Sequence, residues 1–102
     1  MNNLDYVFER VITINNNGKL IMGTLSIGGV NNIAERNRWA CYCSIPVINP
    51  ERISIYGEDP LDAFSKCLVF VDGLIKGSEA DGLEIWWQYK GDHCAILRPI
   101  AD

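Results

Sequence analysis

One stretch of this chain, YGEDPLDAFSKCLVFVDGLIKG from Tyr56 to Gly77, restricts the fold more than any other. Its polar and apolar residues recur with the period of a helix, and it carries its own start and stop signals. Asp59 can accept a hydrogen bond from a free backbone N–H of the first turn. Pro60 then takes the first helical position, where the missing N–H costs nothing. Glu58 and Asp62 lie where the helix dipole favours negative charge. Lys76 and Gly77 suit a last turn and a left-handed C-cap, which predicts a helix from about Pro60 to Lys76. Leu61, Phe64, Cys67, Leu68, Val71, Leu74 and Ile75 form a stripe at three- and four-residue spacing, and such a stripe must be buried against something.

The flanking segments supply that surface. YVFERVITI (6–14) is β-branched and aromatic, and Asn17-Gly18 after it is a strong hairpin signal into a second strand, 19–27. Gly23 suggests a bulge and Gly28-Gly29 the strand's end, so 28–38 reads as a surface loop. A third strand, 39–47, points Trp39, Cys41, Cys43, Ile45 and Val47 one way and Ala40, Tyr42 and Ser44 the other. A short fourth strand, 53–56, feeds the helix. A fifth, 83–89, places Leu83, Ile85, Trp87 and Tyr89 inward and Glu84, Trp86 and Gln88 outward, and a last strand, 94–97, stops before Pro99. The order ββββαββ implies an α+β fold. A mainly antiparallel sheet of five or six strands carries one long helix on one face. Phe64, Leu68, Val71, Trp39, Ile45, Ile85 and Trp87 are the expected core.

The chain of 102 residues is read as a single domain, 1–102, with ordinary globular composition and a net charge of −4. That charge argues against nucleic acid and anionic membrane as direct partners. No apolar run approaches the ~20 residues that span a bilayer, and the first residues lack the pattern of a secretory signal. A cytoplasmic protein with reduced thiols is the expectation, and no cofactor is implied.

Few residues suggest chemistry. His93 adjoins Cys94, but neighbours on a strand point to opposite faces and cannot form a nucleophile–base pair. Cys41 and Cys43 form a C-x-C on one strand face, and with Cys67 or His93 they could assemble a zinc site; a metal protein would draw on Cys41, Cys43, Cys67, Cys94 and His93. Cys41, Cys43 and Cys67 replace aliphatic residues in apolar patterns, so core thiols without metal are expected. Acidic residues are plentiful from Glu58 to Glu84. Glu58, Asp59, Asp62, Asp72, Glu79, Asp81 and Glu84, with Tyr56 and Trp86 as aromatic anchors, are the candidate partner-binding set.

FERVITI, WACYCSI, YGEDPLDAFSKCL and IWWQY together resemble a group of small bacterial domains of uncharacterised function. Their pattern is a Glu-Arg strand, a Trp/Cys strand, a Tyr-Gly-x-Asp-x-x-x-Ala helix start and a late tryptophan. The matching positions are Glu9, Arg10, Trp39, Cys41, Tyr56, Gly57, Asp59, Ala63 and Trp87. That resemblance implies no activity. In size, acidity and lack of catalytic residues the chain also resembles immunity proteins of bacterial toxin systems, including contact-dependent growth inhibition. The functional expectation is therefore a non-enzymatic binding protein that covers the active site of a basic, nuclease-type toxin, as a monomer or weak homodimer. A non-catalytic accessory or oligomerisation domain is the alternative, and a Cys/His metal protein stands behind both.

Overall fold

The computed structural model describes residues 6–33, 38–87 and 94. Five strands and one helix follow in the order β1 (Tyr6–Asn16), β2 (Lys19–Ile33), β3 (Arg38–Ile45), β4 (Asn49–Gly57), α1 (Pro60–Ala80) and β5 (Glu84–Trp87). The sheet runs β4-β3-β2-β1-β5, with every neighbouring pair antiparallel. This is the expected α+β arrangement, an antiparallel sheet with one long helix packed on it. Four reversals separate β4 from β5, so the two edge strands run in the same direction. The helix carries the chain from one edge of the sheet to the other.

The β1–β2 turn has positive φ at both central residues, 53° at Asn17 and 90° at Gly18, as a two-residue hairpin requires. Asn15 Oδ1 accepts from the Gly18 N–H at 2.8 Å and tightens it. β2 does not end at Gly28-Gly29 as the glycines suggest. Those residues instead take φ values of 146° and 63°, the register with β3 slips between Gly28 and Asn31, and the strand runs on to Ile33. Positive φ is what lets the extra residues bulge out without ending the ladder. Conversely, Gly23 marks no bulge. A Cβ there would lie 2.4 Å from Val47 Cγ1, so the missing side chain makes room for the β3–β4 turn. β4 begins earlier than expected and includes Pro50, which an edge strand tolerates because one N–H row faces no partner.

The helix also outruns its expected end. Gly77 is an exposed interior position, and the chain stays helical through Ala80 with Asp81 as C-cap. The left-handed residue is Gly82, at φ 97°. Its N–H donates to Glu79 O at 3.0 Å and the Leu83 N–H donates to Ser78 O at 3.2 Å, the paired bonds of a Schellman cap. Lys76 is therefore not in the last turn, which carries no basic residue.

The core lies between helix and sheet. Ile12, Ile14, Leu25, Ile27, Cys41, Cys43, Ile45, Ile85 and Trp87 meet Ala63, Cys67, Val71 and Ile75. Of the expected core residues, Ile45, Val71, Ile85 and Trp87 are buried, whereas Trp39, Phe64 and Leu68 are half-buried at its margin. Leu61 is 74% exposed, one turn ahead of where the helix settles on the sheet. Helix and sheet are in tight contact at Gly57, where a Cβ would lie 2.3 Å from the Ala63 backbone nitrogen. Of the expected last strand only Cys94 is described. Its N–H donates to Ile85 O at 3.0 Å and its side chain is buried. The remainder of that strand, His93, Tyr89 and Gln88 lie outside the described residues.

Candidate functional site

Three clusters deserve consideration as sites: the buried thiols, the acidic residues of the helix and its surroundings, and the exposed apolar residues.

β3 aims Cys41 and Cys43 at the helix, where Cys67 meets them, and all three are within 1% of complete burial. The hydrogen bond shared by Cys43 and Cys67 holds the Cys67 thiol far above its ordinary range, with burial adding to the effect, and draws Cys43 below it. Burial pushes Cys41 up, and its Sγ lies 3.7 Å from Gly28 O. A thiol with no open path to solvent cannot serve as a nucleophile, whatever its acidity. Cys94 is buried too, and the four cysteines form no disulfide with one another. Among the described residues no group of three or more His, Cys, Asp or Glu side chains is placed to hold a metal ion.

The acidic residues do not converge. Asp59 and Asp62 work for the helix start. Asp59 Oδ1 accepts from the Asp62 N–H at 2.7 Å, and Asp62 Oδ2 accepts from the Glu58 N–H at 2.9 Å, a reciprocal cap made by two aspartates. Lys66 Nζ stands 3.1 Å from the same Asp62 oxygen. The Glu58 N–H first and Lys66 second hold the Asp62 carboxyl below its ordinary range. Asp72 is buried on the helix flank, with Lys76 Nζ at 2.8 Å, so it is not a surface charge at all. Glu79, Asp81 and Glu84 gather at the far end. There Glu84 Oε1 accepts from Asn15 Nδ2 at 2.7 Å across the β5–β1 pair. Asp59 and Asp81 flank a 21-residue helix. At ~1.5 Å per residue the two acidic groups stand about 30 Å apart, far beyond a Debye length of about 8 Å. The candidate patch is two patches.

The aromatic anchors fare differently. Tyr56 is exposed on the helix-free face of β4, one edge of the sheet. Trp86 lies on the same face of β5, the opposite edge, as its expected outward position requires. It pairs with Thr13 and is only 4% exposed, so it presents almost no surface to a partner. Four strand spacings of about 4.8 Å separate the two strands, too far for one contact to use both side chains as a single anchor.

Sequence reasoning missed the largest exposed apolar cluster. Leu20 and Met22 are each 60% exposed on the helix-free face of β2, and Ile21 is 38% exposed on the other. A signal was present, because three consecutive large apolar residues in a two-faced strand cannot all point into one core.

Set against protein-family models, curated proteins and solved structures, this chain matches none of them.

Proposed function

We propose that this chain is a protein-binding module for a basic partner, most concretely a cytoplasmic immunity protein that covers the active site of a nuclease-type toxin. One observation carries the reading. Asp81 and Glu84 are exposed beside Glu79 at the C-terminal end of α1, and no basic residue occupies the last helical turn. The helix dipole is already negative there, so carboxylates at that end work against the helix rather than for it. Local charge that opposes local stability, on a chain of net charge −4, suits a surface kept for a positively charged partner. Acidic groups so placed stand in for the phosphates that a nuclease site attracts, speeding association and adding complementarity. No helix among the described residues is long and apolar enough to cross a membrane.

The test is association with the product of the adjacent gene, followed by stopped-flow across a salt series. The on-rate should fall as salt rises. The double substitution Asp81→Asn, Glu84→Gln should lower the on-rate at low salt and flatten its salt dependence. Binding indifferent to both salt and these charges would remove the reading.

A further inference from the structure

β2 is longer than the strand beside it. Its pairing with β3 begins at Ser26, and the β3–β4 turn reaches Gly23, where Val47 fills the place of a side chain. Among the described residues nothing pairs with the outer side of Lys19–Met22. The Asn16–Lys19 pair closes the two-residue turn, so its backbone groups bond across the hairpin. Alternation then turns the N–H and C=O of Leu20 and Met22 away from β1, to a side that no described strand occupies. The same alternation around the sheet leaves Ile85 O facing outward from β5, and there it accepts from Cys94. At β2 the outward groups coincide with Leu20, Ile21 and Met22, the longest run of exposed large apolar residues in the described chain.

We propose that this edge receives a second copy of the chain, pairing antiparallel about Leu20 so that the two sheets become one. Charge selects the occupant. Lys19 is the sole charged residue of the edge, which disfavours a basic partner there. It also leaves a route by which two copies of net charge −4 can meet without facing carboxylates. Antiparallel packing through the outer face of α1, where Val69 is 59% exposed, would instead bring the acidic start of one helix against the acidic end of the other. A two-fold pairing about Leu20 lets the two Leu20 residues exchange both backbone hydrogen bonds and sets their side chains face to face. Three side chains from each copy fall short of the ~1,200 Å² of a standard interface, so the dimer is a weak one that fills only at high protein concentration. The edge lies two strands from Glu84, and the proposal stands independently of the acidic surface.

Sedimentation velocity of the full chain over a wide concentration series tests it. The wild type should move from monomer toward dimer as concentration rises. Leu20→Lys and Met22→Lys, at exposed positions, should stay monomeric throughout, while Val69→Lys should dimerise as the wild type does. A wild type that remains monomeric, a dimer undiminished in Leu20→Lys, or one lost in Val69→Lys would each overturn the proposal. Amide exchange of the wild type supplies a reading that needs no variant. The Leu20 and Met22 N–H groups should exchange more slowly in concentrated than in dilute solution, and exchange indifferent to concentration would sink the idea.

Discussion

The two ends of α1 carry the same residue type to opposite effect. At the start, Asp59 and Asp62 satisfy orphan backbone N–H groups and sit where the dipole welcomes them. At the far end, Gly82 and Leu83 close the helix with backbone bonds, and the carboxylates beside them sit where the dipole is already negative. Packing follows the same division. Gly57 lets β4 press against the first turn, whereas Gly73 and Gly77 face open space, with nothing within 4 Å of where a Cβ would stand. Acidic charge, counted along the sequence, is one quantity. In the fold it separates into charge that builds the helix and charge that the helix merely tolerates.

Substitutions can break or sharpen this contrast. The largest effect is expected from Gly57→Ala. Its new Cβ meets backbone, which cannot swing aside as a side chain can, so denaturant unfolding should show a loss of about 2–3 kcal/mol. Asp59→Ala should cost about 1 kcal/mol by removing the cap, while Asp81→Ala should change stability by less than ~0.5 kcal/mol. Equal losses at the two aspartates would erase the distinction between the ends. Gly77→Ala should stabilise by roughly 0.5–1 kcal/mol, since the position is helical, exposed and unobstructed. A loss there would mean that the outer face of the second half of the helix is occupied.

The smallest effect concerns acid. The folded-state pKa of Asp62 is depressed, by the Glu58 N–H and then Lys66, below an unfolded value near ~3.9. Its stabilisation is therefore fully present above about pH 4 and is lost as pH falls through the folded value. Asp62→Asn should flatten that acid limb slightly. Urea midpoints measured between neutral and acid pH would show the difference.

Much of the fold was legible because its signals are local. The Asn17-Gly18 turn, the Asp59-Pro60 helix start and the alternation of Cys41, Cys43 and Ile45 each depend on a few adjacent residues, and each stands in the structure as read. Glycine misled wherever its role was set by distant chain. Gly23 answers to Val47, Gly28-Gly29 to the register with β3, and Gly77 yields its capping role to Gly82 because Leu83 completes the motif there. The candidate site was less legible for the same reason. Linear proximity put seven carboxylates into one patch, but a rigid helix holds its ends apart, and nothing in the local pattern told that Asp72 and Trp86 would be enclosed. The exposure of Leu20 and Met22 follows from strands of unequal length, a property of the assembled sheet.

The passage of α1 from one edge of the sheet to the other has a consequence for how the chain comes into being. Asn15 and Glu84 bond across 69 positions, whereas β1 to β4 pair through short connections. Contacts of low sequence separation close first, so the four-strand meander assembles before β5 can find β1. On a ribosome, the outer edge of Ile12–Asn15 is without its strand until Trp87 has emerged, and until then the nascent protein carries an unpaired β-edge. A chain halted at Gly82 keeps that edge permanently, so it should collect in aggregates under conditions where the full-length chain stays dispersed.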